Sequence, residues 1–68
     1  MEFSGNIGVI KTREGHANSV AVGLEALGLP EILGTLAGDD TIMVILREGM
    51  TKEDLRDSFK ERIPEIDE

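Results

Sequence analysis

Hydrophobic residues recur along the chain with spacings that predict a β–α–β–β–α order of elements. Residues 5–12 indicate a turn followed by a strand, because Gly5-Asn6 is typical of turns and the following Ile and Val favour strands. Residues 1–4 are expected to be the end of a preceding strand. An amphipathic helix should follow, with one apolar face made by Ala17, Val20, Ala21, Leu24 and Leu27. Gly28 and Pro30 are expected to stop it.

Two further apolar runs, residues 31–37 and 41–46, predict a β-hairpin. The residues between them, 38–40, can form only a tight turn. The second run is almost continuously apolar, which is typical of a central strand covered on both faces.

A last helix is predicted to begin at Thr51. Thr51 and Asp54 resemble a capping box, with Asp in place of the usual Glu. Pro64 should end this helix, and residues 65–68 form an acidic tail. The apolar stripe of the helix comprises Leu55, Phe59 and Ile63.

The expected fold class is α+β, because helices with one apolar face each pack together on one side of a sheet. We predict a single domain over residues 1–68. It should be a two-layer sandwich in ββαββα order with a truncated first strand, in which a four-stranded, mainly antiparallel sheet carries two helices on one face. The other face must be solvated or covered by another chain, and the apolar run 41–46 favours cover.

Composition adds constraints on partners and location. At 68 residues and 7.4 kDa without cysteine, the core is marginal, so self-association is the expected further source of stability. No membrane span or secretory signal is present, which predicts a cytoplasmic protein. The net charge of -7 and the lack of Trp and Tyr argue against nucleic-acid binding by these residues.

Asp39 and Asp40 form the most unusual pair in the chain, since adjacent carboxylates repel each other. Turn chemistry alone could explain them, because Asp is common in turns. The alternative is a site for a cation such as a guanidinium group, which a carboxylate binds through two parallel hydrogen bonds. A metal is less favoured because no other Asp or Glu is close in sequence. A hydrolytic pair is less favoured still, because adjacent side chains point apart.

Residues 15–18 (Gly-His-Ala-Asn) open the first predicted helix. The N-terminus of a helix has free N–H groups that can hold a carboxylate. His16 is expected to cap this end or to lie in solvent, and no nucleophile motif accompanies it. A site for an anion and a site for a cation together suit a zwitterionic, cationic amino acid, but spacing alone does not show that the two sites meet.

Residues 9–12 (Val-Ile-Lys-Thr), 15–18 and 30–41 resemble the C-terminal domain of the bacterial arginine repressor. The most specific part is the Gly-Thr-Leu-Ala-Gly-Asp-Asp-Thr run of residues 34–41. The resemblance implies a two-layer domain that forms trimers, which stack into hexamers and bind L-arginine between them. In this family an N-terminal winged-helix domain reads operator DNA, and arginine strengthens that binding.

The resemblance also implies which residues bind the ligand. Asp39 and Asp40 would hold its cationic groups. Asn18 stands where the family often has Gln, and Ala17 would contribute backbone. Glu25 stands where the family usually has Asp, so its carboxylate is displaced by more than about 1 Å. The full set of expected ligand-binding residues is Asp39, Asp40, Asn18, Ala17, Glu25 and His16.

The function implied is therefore an arginine-sensing oligomerisation domain of a transcriptional regulator, and not an enzyme. Its expected partners are L-arginine and further copies of itself, with no metal or cofactor. Operator DNA would be bound only by the N-terminal domain. That domain is expected to be absent here, because the chain has roughly half the repressor's length. The chain would then be either an excised domain or a stand-alone relative. A structural oligomerisation module without ligand sensing is the alternative, followed by a small enzyme or metal site.

Overall fold

A computed structural model describes residues 1–62 of the chain. It contains six elements: β1 (Glu2–Ser4), β2 (Ile7–Lys11), α1 (Ala17–Ala26), β3 (Ile32–Gly38), β4 (Thr41–Leu46) and α2 (Lys52–Arg62). The predicted order is confirmed, including the short first strand. The expected end of the last helix at Pro64, its stripe residue Ile63 and the tail at residues 65–68 lie outside the described residues.

The four strands form one sheet in the order β1-β2-β4-β3, and every neighbouring pair is antiparallel. β4 is therefore the central partner of both β2 and β3. These two strands run in the same direction and are joined through α1, so β4 is inserted into a split β–α–β unit. The predicted α+β fold is confirmed, with a sheet that is antiparallel throughout.

The hydrophobic core lies between the two helices and one face of the sheet. On this face β4 contributes Ile42, Val44 and Leu46, which are at most 1% exposed. Leu55 and Phe59 of α2 are buried against the same cluster, as the stripe predicted. The remaining buried apolar residues are Ala17, Ala21 and Leu29.

The opposite face of the sheet is apolar but carries no helix. We call it the open face, and it comprises Ile7, Val9, Leu36, Met43 and Ile45. Because side chains alternate along a strand, the apolar run of β4 divides between the core and this face. Met43 and Val9 are each 38% exposed, and Leu36 is 68% exposed. Within one chain β4 is thus covered on one face only.

Helix α1 ends as the sequence predicts. Leu27 is its C-cap, and Gly28 follows in the left-handed region at φ +63°. The prediction that Val20 faces the core is wrong, because its side chain is 40% exposed. Ala17 and Ala21 are the buried residues of the helix. Because these two side chains are small, the helix approaches the sheet most closely along the line that joins them. Val20 lies at the edge of this contact.

Helix α2 begins with the predicted capping box. Asp54 donates its N–H to Thr51 Oγ1 at 3.2 Å, and Thr51 donates its N–H to Asp54 Oδ2 at 2.9 Å. The shorter Asp side chain therefore closes the reciprocal pair that Glu usually closes. Neither α1 nor the described part of α2 has the length and hydropathy needed to span a membrane.

Candidate ligand-binding site

A two-residue turn, Asp39-Asp40, joins β3 to β4 and places both carboxylates at one end of the sheet. Asp39 has a φ of +53°, which lies in the left-handed region. Asp adopts this region more readily than most residues do. An aspartate at position 39 is therefore explained by the turn conformation as well as by a role in binding a ligand. The predicted tight turn is confirmed, and it leaves the Asp39 side chain exposed.

Hydrogen bonds tie this turn to the start of α1. The Asp39 carbonyl accepts the N–H of Ala17 at 3.0 Å, and Asp39 Oδ1 accepts the N–H of Gly15, also at 3.0 Å. The Asp40 carbonyl accepts the N–H of Thr12 at 2.7 Å. The acidic turn and the N-terminus of the helix are therefore neighbours, although they are more than twenty residues apart in sequence.

Two side chains hold the Asp40 carboxylate. Thr41 Oγ1 donates to Asp40 Oδ1 at 2.8 Å, and Lys11 Nζ lies 4.0 Å from the same oxygen. The hydroxyl group and then the ammonium group lower the pKa of Asp40, because both stabilise its charged form. Asp40 therefore stays ionised at neutral pH while its side chain remains 42% exposed.

The site keeps unused acceptors and donors side by side. Among the described side chains and backbone groups of residues 1–61, none donates a hydrogen bond to Oδ2 of Asp39 or of Asp40. In the same part of the chain, the N–H groups of Asn18 and Ser19 have no acceptor, as is usual in the first turn of a helix. The surface can therefore accept bonds from a cation and donate bonds to an anion.

The side chains of His16 and Asn18 are both exposed beside this surface. His16 occupies the N-cap position of α1, but its side chain makes no capping hydrogen bond. Of the two expectations for His16, the structure therefore shows solvent exposure. Ala17 is fully buried, and its N–H is donated to Asp39.

Glu25 lies toward the other end of α1. Its Oε2 accepts a hydrogen bond from Thr35 Oγ1 of β3 at 2.9 Å. Glu25 lines a hollow of about 280 Å³ whose other lining residues are Leu24, Gly28, Leu29, Pro30, Ile32, Thr35 and Arg47. The aspartates are not among these residues, and Glu25 is about 12 Å along the helix axis from Ala17. One chain therefore does not bring Glu25 to the acidic turn.

Sequence reasoning missed three residues that shape the acidic turn, namely Gly15, Thr41 and Lys11. A threonine directly after an Asp pair is a local signal, since its hydroxyl group can reach the preceding carboxylate. Lys11 carries no such signal, because its position opposite Thr41 depends on the register of β2 against β4. In residues 1–62 no group of three or more His, Cys, Asp and Glu side chains is arranged to hold a metal ion.

Comparison of the sequence with known proteins identifies its family. Residues 1–61 match the family described as "Arginine repressor, C-terminal domain". The chain belongs to the arginine repressor C-terminal domain family. The resemblance carried by residues 9–12, 15–18 and 30–41 is thereby confirmed.

Several proteins named arginine repressor, from different organisms, have sequences similar to this chain. A protein named arginine repressor from Phocaeicola vulgatus is 48% identical over 66 residues, which cover 97% of this chain and 42% of that protein. Its namesake from Bacteroides fragilis is 52% identical with the same two coverages. The namesake from Thermus thermophilus is 51% identical over 87% of this chain and 36% of its own length.

The chain therefore spans about two fifths of the length of these arginine repressors and corresponds to their C-terminal part. Their name is that of a transcription regulator and not of an enzyme.

Proposed function

We propose that the chain is the effector-binding and oligomerisation domain of an arginine-responsive transcriptional regulator. L-arginine bound between protomers stabilises a hexamer, and the hexamer favours operator binding by an N-terminal DNA-binding domain outside these 68 residues. Such a regulator controls genes of arginine metabolism in the cytoplasm. The observation that carries the proposal is the contact between the Asp39-Asp40 turn and the start of α1, in a member of the arginine repressor family.

The chemistry of this contact suits L-arginine. The free carboxylate oxygens of Asp39 and Asp40 accept hydrogen bonds from the cationic groups of the ligand, and bonds between two charged partners are the stronger kind. The N–H groups of Asn18 and Ser19 can donate to its carboxylate, since the helix N-terminus favours negative charge. No metal or cofactor is needed for this binding.

Assembly follows from the charge and from the open face. Each chain carries a net charge of -7 and one acidic turn. When several copies assemble, their acidic turns come close together and repel one another. Bound arginine neutralises part of that charge and bridges the protomers. Because the ligand binds the assembled state better, it stabilises that state by mass action.

Glu25 takes part in this scheme only through another protomer. Its carboxylate lies toward the end of α1 away from the acidic turn and is bonded to Thr35. We therefore place Glu25 on the neighbouring side of the ligand. Asp39, Asp40, Asn18 and His16 come from the first protomer, where the buried Ala17 contributes through its N–H bond to the Asp39 carbonyl.

The test is a thermal-shift and sedimentation assay with millimolar L-arginine, L-lysine and the uncharged analogue L-citrulline. L-arginine should raise Tm and the average mass. Ligand at 100 times its dissociation constant adds about 2.7 kcal/mol to the free energy of unfolding. L-lysine should act less and L-citrulline least.

The matched variants are D39N/D40N and E53Q/D57N, which remove the same charge from the turn and from α2. The first should lose the response to L-arginine and the second should keep it. An unchanged response in D39N/D40N would contradict the assignment of the acidic turn.

The open face supports a second candidate, a structural oligomerisation module without ligand sensing. Its apolar residues favour assembly whether or not arginine is present, with Leu36 and Met43 the most prominent. In that case the average mass exceeds that of one chain, but none of the three amino acids changes it. Substituting Asp39 and Asp40 then alters neither assembly nor Tm.

A further inference from the structure

Lys11 is linked to the acidic turn through a threonine. It faces Thr41 across β2 and β4, and its Nζ donates to Thr41 Oγ1 at 3.0 Å. The same hydroxyl group donates to Asp40 Oδ1 at 2.8 Å, so the three side chains form one hydrogen-bonded line. This line lies at the polar end of the open face, beyond Val9 and Met43.

The line also brings a positive charge to a site that is otherwise acidic. Lys11 Nζ lies 4.0 Å from Asp40 Oδ1, and among the described side chains of residues 1–61 this is the only ion pair within that distance. The Lys11 side chain is 71% exposed, so its stem is free to move aside without disturbing the core.

We propose that Lys11 is an affinity-setting residue of the ligand site, an internal counter-ion of Asp40 that competes with the cationic group of the ligand. This inference rests on the proposed function, because it takes L-arginine as the ligand. A guanidinium group on Asp40 lies within a few ångströms of the ammonium group, and like charges at that distance repel each other. Binding therefore requires Lys11 to withdraw or its repulsion to be overcome.

The lowered pKa of Asp40 agrees with this geometry, since Lys11 is one of its causes. The competition is modest in size because both groups are partly exposed. Ion pairs of this kind change an equilibrium constant by about twofold to fivefold. A residue with this effect sets the concentration of ligand at which the site fills and leaves its chemistry unchanged.

The test is calorimetric titration of the 68-residue chain with L-arginine, using K11M, K11R and K52M. K11M should bind about twofold to fivefold more tightly than wild type at about 20 mM salt. That gain should shrink at about 300 mM salt, because salt screens exposed charges. K11R keeps the charge and should bind no more tightly than wild type, because its guanidinium group can itself pair with Asp40. K52M removes the same charge from α2 and should match wild type.

A ligand-free measurement separates failure of this inference from failure of the proposed function. The pKa of Asp40, followed by carboxyl-carbon NMR, should rise in K11M and stay unchanged in K52M. If wild type binds L-arginine and K11M binds it equally or more weakly, the competition is refuted. If wild type binds no L-arginine, the proposed function fails. In that case a rise in the Asp40 pKa in K11M would still identify Lys11 as the counter-ion of Asp40. If the pKa did not rise, that role of Lys11 would be refuted as well.

Discussion

Both faces of the sheet carry apolar residues, yet only one face is covered. On the core face, Ile42, Val44 and Leu46 of β4 are at most 1% exposed beneath the helices. On the open face, Met43 of the same strand is 38% exposed, and Leu36 of β3 is 68% exposed. The difference arises because both helices pack on the same side of the sheet. The six residues of β4 alternate between the two faces, so only half of them lie beneath the helices.

The comparison shows that one chain supplies a core but leaves a second apolar surface unused. The contiguous apolar patch formed by the open face is typical of an interaction surface. The acidic turn and the line through Lys11 lie at its polar end, so an assembly that covers the open face also approaches the proposed ligand site.

The sharpest test of this comparison is a pair of identical substitutions. L46A should lower the free energy of unfolding by about 2–5 kcal/mol at any protein concentration, because it leaves a cavity in the core. L36A should cost less than about 0.5 kcal/mol in the dissociated chain, since its side chain is already in solvent. Urea denaturation at low and high protein concentration measures both. If L46A and L36A lower the free energy of unfolding by the same amount at both protein concentrations, the distinction between the faces is wrong.

A charged substitution tests whether the open face carries assembly. M43E places a carboxylate at the centre of that face and should weaken self-association at least about tenfold, because an unpaired charge is costly to bury. V22E is the control, since Val22 is an equally apolar residue that is 68% exposed on α1. Sedimentation velocity over a range of concentrations reports the average mass. The open face is not an interface if M43E and V22E assemble alike.

Local patterns predicted most of the fold. The stop at Gly28 and the capping box of Thr51 and Asp54 depend on residues close in sequence, and both are confirmed. Val20 was misplaced because helical spacing identifies a stripe but not which of its residues makes the closest contact. The alternating burial along β4 was hidden because both sets of its side chains are apolar.

The candidate site was predictable only in part, because sequence patterns report local structure and not contacts between distant residues. Asp39 and Asp40 stand out as an adjacent pair, and the free N–H groups of α1 follow from any helix start. The contact between them depends on how α1 docks beside the hairpin, and the position of Lys11 depends on strand register. Such long-range arrangements leave no spacing signal. The roles of all these residues toward a ligand stay predictions.

The smallest expected effect concerns the polar end of the open face. The pKa of Asp40 lies below its usual value of 3.8, first because of the Thr41 hydroxyl group and second because of Lys11. A carboxyl group with a lowered pKa stabilises the folded state above its unfolded pKa. That contribution is lost as the pH falls through the folded value.

T41V removes the hydroxyl group and also the acceptor of Lys11, so the pKa of Asp40 should rise toward 3.8. T41S keeps the hydroxyl group and should retain the lowered value. Carboxyl-carbon NMR of Asp40 between about pH 2 and pH 6 measures the shift directly. An identical titration in T41V and wild type would mean that the line from Lys11 to Asp40 does not form. The polar end of the open face would then be ordinary solvated surface.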